Sequence, residues 1–199
     1  MTEEWTARRI LKELCDTNQR RSILTTFWRE AEPDTTNLVI AALAKNLNFR
    51  LDSVKKATPE RKGELLGMQL HVAQFEEPLE IALMLYHTGH ARELLAAFLD
   101  SWKIPHVDGS IEVEEYTIPT PAAVASSSAS LRSRFPEADI ALYLATAGLL
   151  MGREEPKWRE ATWPEVERIR NPGTPTATAT EPTPVKKKPT ARKPKTTGA

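Results

Sequence analysis

Four histidines and a single cysteine are the side chains best suited to chemistry, and their spacing limits what they can do. His87 and His90 are three residues apart, and Glu93 follows three further on. A His/Glu set of this kind holds zinc or another divalent cation if the chain gathers it. His71 and His106 are further candidates should the fold bring them near. Gly89 works against a shared helical face: it puts His87 in the last turn of one expected helix and His90 at the start of the next. A histidine at a helix C-terminus is favoured by the macrodipole and needs no ligand. There is no His-Glu-x-x-His, and no second cysteine to complete a zinc site. Cys15 sits between Leu14 and Asp16 on an apolar helical face, without the cationic neighbour that an activated thiolate wants. It reads as a small core residue.

The segment His106-Val-Asp108-Gly109-Ser110-Ile111-Glu112-Val-Glu114-Glu115 resembles the second half of an EF-hand calcium loop. Asp108 would be its fifth position, Gly109 its sharp turn and Glu115 its bidentate twelfth. Ile104 and His106 stand where the first two oxygen donors belong, and Pro105 lies between them. The residues themselves read as an acidic surface turn. Ser126-Ser127-Ser128 and the neighbouring alanines are spaced for helix packing, with Ala125, Ser126, Ala129 and Ser130 on one face. No Gly-x-Ser-x-Gly, phosphate-cradling loop or dinucleotide fingerprint is present, so no cofactor is expected.

Helical periodicity dominates the chain that must position these groups. Ala7, Ile10, Leu11, Leu14 and Cys15 share a face, as do Ile23, Leu24, Phe27 and Trp28, with Thr17 or Asn18 as the expected cap. Glu32-Pro33-Asp34 should break the chain, and Thr35 or Thr36 should cap a helix carrying Leu38, Val39, Ala42, Leu43 and Leu47. A short helix with Leu51 and Val54 follows, then a start signal at Thr58-Pro59. Pro78 should open a helix over Leu79 to His87 that is apolar nearly all round, which in a globular protein marks a central helix. Gly89 should end it in a left-handed cap, and Ala91 to Trp102 should fold back as a hairpin partner. Ile104 to Pro121 is irregular, with at most a small hairpin across Asp108-Gly109. Ala122 to Phe135 reads as another helix, and Ile140 to Met151 as a second central one stopped by Gly152. Trp158, Trp163 and Val166 form a final strap, its two indoles candidates for protein contact. Similar runs at Ile81–Leu85 and Ile140–Leu144, and at Arg21–Phe27 and Arg92–Phe98, differ in offset, so no fixed repeat exists.

At Pro172 the composition changes to Thr, Pro, Ala and Lys, with Val185 the one apolar residue larger than alanine. Such a segment cannot bury a core and is expected to be disordered. Formal charge is zero overall, from 27 basic and 27 acidic residues. The tail, however, holds Lys186, Lys187, Lys188, Arg192, Lys193 and Lys195 against Glu181, or +5, which leaves the body at −5. Residues 186–195 resemble in composition the Lys/Pro/Ala tails of linker histones. That resemblance implies phosphate contact without sequence readout, released by salt.

The sequence thus leads to an all-α protein. A single irregular multi-helix bundle spans 1–170, with two central apolar helices and a short extended segment near 104–121; a disordered basic tail spans 171–199. The expected role is that of a non-enzymatic interaction or adaptor protein. Its body meets a protein partner, and its tail tethers it to nucleic acid or another polyanion. The alternatives are a metal-dependent protein or enzyme using His87, His90 and Glu93, and a nucleoid-associated protein binding DNA without sequence preference. The most apolar stretch is too short to span a bilayer, and no leader is visible, so a cytoplasmic location is expected.

Overall fold

The computed structural model describes residues 5–111, 113 and 115–172; the tail cations lie outside the described residues. The architecture is an all-α multi-helix bundle. α1 (Ala7–Glu13) and α2 (Thr17–Glu30) are joined at Asp16, whose carboxylate accepts the Gln19 N–H at 2.8 Å. Asp16 therefore caps α2, one position before the expected Thr17. α3 (Pro33–Asn46) begins at the proline itself. Pro33 has no N–H to lose in the first turn, so it starts the helix instead of separating it from Thr35. α3 ends at Leu47, with Asn48 left-handed at φ 53° and the Phe49 N–H reaching back to the Ala44 carbonyl at 2.9 Å. These are the two elements of a Schellman cap. α4 (Leu51–Lys55) is the short helix expected around Leu51 and Val54, and α5 (Pro59–Gly67) starts under the Thr58 cap.

A 3-10 turn at Ala73–Phe75 runs into α6 (Glu76–Gly89), which starts two residues before Pro78. The expected left-handed cap at Gly89 is not formed: Gly89 is the last helical residue, and His90 caps in the right-handed region. The left-handed caps fall on Asn48 and on Lys103, at the end of α7 (Arg92–Ser101). There the Ile104 N–H bonds the Leu99 carbonyl at 2.9 Å, and the Ile104 and Leu99 side chains are buried in one cluster. β1 (His106–Val107) and β2 (Ser110–Ile111) form the small hairpin. Asp108 and Gly109 both have positive φ, 50° and 87°, as a two-residue primed turn requires.

α8 (Pro121–Leu131) buries Val124, Ser127, Ser128 and Leu131, whereas Ser126, Ala129 and Ser130 are exposed. The packed face is therefore rotated from the expected small-residue stripe. Its larger side chains decide the orientation, because they gain most from leaving water. α9 (Glu137–Leu150) is the central helix in full: every residue from Ile140 to Leu149 is buried. α10 (Lys157–Arg170) lies across it. Gly148 and Gly152, four apart, open the contact. A Cβ on Gly148 would overlap the Thr162 hydroxyl and the Trp163 indole, and one on Gly152 would overlap the Arg159 side chain. Arg170 closes the body onto its first helix through Glu13 at 2.6 Å and through the face of Trp5. α3 and α4 stand apart from this scheme, since each is the other's main neighbour.

Candidate functional site

The histidine set occupies the seam between the end of α6, the start of α7 and the start of α9. His87, His90, Glu93 and Asp139 line one cavity of about 350 Å³. The chain thus brings the three expected ligands to one wall, but not to one point. His87 is buried, its Nε2 3.2 Å from the Thr146 hydroxyl. That hydroxyl donates to the Leu142 carbonyl at 2.8 Å, so it accepts from His87. His87 is thereby a neutral Nε2–H tautomer, with burial pushing its pKa down to about 3. Its free Nδ1 is buried beyond solvent contact, which closes it to a ligand. His90 is half-exposed and faces Glu30 at 3.8 Å. Among the described residues no three His, Cys, Asp or Glu side chains are grouped to hold a metal ion.

The other candidates are similarly engaged. Cys15 is buried, and burial pushes its thiol up to about 12. His106 accepts the Gly109 N–H on Nδ1 at 3.1 Å and meets Asp100 with Nε2 at 3.2 Å, so it braces the hairpin and supplies no third calcium donor. Glu112 and Glu114 lie outside the described residues. Trp158 is 1% exposed and packs on Trp102 and Tyr116; this corrects its expected role in protein contact. Trp163 is half-buried beneath Arg159, and its indole N–H is enclosed. In a helix crossing this close, the largest rings fill the seam because they bury the most apolar area.

Two buried carboxylates brace the core. Glu165 receives both arms of the Arg168 guanidinium at 2.6 Å, and burial raises its pKa to about 7 against the pull of Arg132. Glu80 pairs with Arg153, its pKa likewise raised by burial. Each ties its helix to a neighbour or to its own next turn, and neither lines a described cavity.

Exposed apolar side chains are concentrated on α3 and at its turn into α4. Leu38, Phe49 and Leu51 are 74%, 47% and 52% exposed, half of the six large apolar side chains left in solvent. Leu38 overhangs a groove of about 300 Å³ between α3 and the start of α6, walled by Val39, Ala42, Phe75 and Pro78. Smaller hollows of about 210 and 260 Å³ lie along α2, one beside Gly63 and Gly67, the other beside Thr25 and His90. At the α3–α4 corner Lys45, Arg50, Lys55 and Lys56 are exposed, and none forms an ion pair among the described residues. Asp52 is the one acid within this run, so residues 45–56 carry +3 on a body that totals −5. In the sequence Leu51 and Val54 mark only a short helix, and nothing in their spacing marks this corner as a surface. The signal was present in Lys45, Arg50, Lys55 and Lys56 around Phe49 and Leu51, but only the fold decides that Phe49 and Leu51 point outward.

The chain matches no protein-family model, no curated protein and no solved structure. No helix among the described residues is long and apolar enough to cross a membrane.

Proposed function

We propose that this is a non-enzymatic interaction protein whose helical body meets its partner with the α3–α4 corner. Its basic tail holds it to nucleic acid or another polyanion. The observation that carries this reading is the placement of exposed Phe49 and Leu51 beside Lys45, Arg50, Lys55 and Lys56, four cations without an ion pair among the described residues, at the turn between α3 and α4. Exposed apolar groups are ordinary when scattered and informative when gathered. The single thiol, Cys15, supports a reducing cytoplasm as its place of work.

A salt series tests the tether. The full chain and a full-length variant with the six tail cations changed to glutamine are titrated with duplex DNA and with heparin. The expected slope of log K against log salt on DNA is no steeper than about −5 for the wild type, and it flattens in the variant. Equal binding by both proteins removes the tail from the reading. A second reading, a metal-dependent protein, draws on the cavity shared by His87, His90 and Glu93. It requires His87 to leave Thr146, and it is abandoned if zinc binds no more tightly to the wild type than to His90→Ala/Glu93→Ala.

A further inference from the structure

The corner read above as a contact surface has a shape as well as a charge. Phe49 and Leu51 flank Arg50 at the turn between two helices, and both are about half exposed. Lys45 lies in the last turn of the helix before the turn, while Lys55 and Lys56 are the last residue and the cap of the one after it. No cavity described above takes a wall from residues 43–58. The corner is therefore an edge that a partner must receive, not a groove that a partner fills. A folded protein would need a ready-made pocket for Phe49, rimmed with carboxylates. Nucleic acid offers phosphates to the cations and a base face to Phe49, but nothing to Leu51. A fluid anionic bilayer surface satisfies all of them, because apolar side chains sink to the boundary between headgroups and acyl chains while cations stay among the phosphates.

We infer that the α3–α4 corner docks this protein on an anionic phospholipid surface, with Phe49 and Leu51 inserted at headgroup depth and Lys45, Arg50, Lys55 and Lys56 on the phosphates. The inference rests on the reading of the corner as a contact surface and names its partner. The net negative body orients the approach: the surface repels its acidic faces and attracts this one within a Debye length of about 10 Å. Stable attachment of a protein without a spanning helix takes two weak signals, and the six tail cations are a second signal of the same sign.

The test is flotation of the full chain with phosphatidylcholine vesicles, with and without phosphatidylglycerol. The wild type is expected to float only with the anionic lipid. Phe49→Ser/Leu51→Ser lowers the partition coefficient by about tenfold or more without changing any charge. Changing Lys45, Arg50, Lys55 and Lys56 to glutamine lowers it by about fivefold per cation. A polarity-sensitive fluorophore on Leu51→Cys shifts to the blue on anionic vesicles, while one on Glu160→Cys of α10 does not; buried Cys15 takes no label. Failure to float overturns the inference. So does flotation that depends on the tail cations and is indifferent to Phe49→Ser/Leu51→Ser. If the corner variants weaken heparin binding while vesicles stay unbound, the lipid partner is wrong and the contact surface stands. If they alter neither, both readings fall. A blue shift on an acidic amphipathic peptide but not on vesicles assigns the corner to a protein and overturns the lipid.

Discussion

Gly148→Ala should destabilise the body, although it replaces glycine by the best helix former within the last turn of α9. The propensity gain is at most about 1 kcal/mol. Against it stands the seam between α9 and α10. The new methyl would lie 2.7 Å from Trp163 Cδ1 and closer still to the Trp163 nitrogen and the Thr162 hydroxyl, where 3.4 Å begins ordinary contact. Neither neighbour swings aside easily: Thr162 is fully buried with its hydroxyl donated to the Trp158 carbonyl at 2.9 Å, and Trp163 is held under Arg159. Overpacking of this kind costs roughly 1–3 kcal/mol, and the immobility of both neighbours puts this site at the upper end. The net loss is then about 1–2 kcal/mol, or roughly 2–8 °C in Tm for a body of this size. Gly67→Ala is the internal control. Its methyl would meet only Leu24 Cδ1, at 3.3 Å, the far end of a side chain that can rotate. That variant should be neutral or gain up to about 1 kcal/mol. Urea unfolding followed by circular dichroism reads both. A Gly148→Ala protein as stable as the wild type or more so, or equal losses in the two variants, would rule out an overpacked seam.

Four further outcomes follow from buried groups. His87 has a folded pKa near 3, below its unfolded value of 6.5, so the unfolded state alone takes up the proton between them. Its effect on stability is absent above pH 6.5. Below that it costs up to about 1.4 kcal/mol per pH unit, until the folded pKa is reached. His87→Gln keeps an N–H for Thr146 without titrating, so its stability should fall less steeply from pH 6.5 to 4. Glu165 has the opposite sign: its folded pKa, about 7, exceeds the usual 4.5, so its contribution is lost as pH rises through 7. Glu165→Gln should therefore steepen the acid limb, a comparison of slopes that chemical unfolding at stepped pH provides. Cys15 should resist Ellman's reagent in the native protein and react in urea, because a thiol near 12 instead of 9.0 has roughly a thousandfold less thiolate. Trp158→Ala should cost about 3–5 kcal/mol, which separates a core ring from a contact ring in one unfolding curve.

The helices were legible because burial imposes a period on the sequence. α9 shows the limit of that signal: it is apolar on every face, so the sequence marks it as central without saying which neighbour crosses where. The crossing is set by Gly148, which resembles Gly89 in sequence context and differs from it in role. A Cβ on Gly89 would meet only the Glu30 carboxylate, its oxygens at 3.4 and 3.9 Å. One glycine ends a helix in solvent and the other admits a tryptophan; a linear pattern carries no third coordinate to separate them. The histidine set shows the same limit in chemistry. His87, His90 and Glu93 line one cavity, but the Thr146 hydroxyl that occupies His87 comes from 59 residues away. The strap indoles meet the same limit: the sequence marks Trp158 and Trp163 as contact candidates or core rings, and the Gly148 gap that receives Trp163 and the Trp102 ring that meets Trp158 are set elsewhere in the chain.

Two helix ends with the same cap separate what folding requires from what it permits. Asn48 and Lys103 are both left-handed, and each is followed by an apolar residue whose N–H closes the cap. The cap favours such a residue because its side chain can cover the last turn. Ile104 meets that need and is buried against Leu99, the residue whose carbonyl its N–H bonds. Phe49 occupies the equivalent place and leaves 47% of itself in water, next to Leu51 at 52%. Capping alone would be served there by a smaller side chain, and solubility would be better served by a polar one at position 51. The cations around the pair form no ion pair among the described residues, whereas Glu60 and Glu64 of α5 pair with Arg21, Arg29 and Arg61. An apolar surplus and a cationic surplus at one exposed turn are each unremarkable alone. Their coincidence at the turn between α3 and α4 makes this corner the first place to perturb when the aim is to lose function and keep the fold.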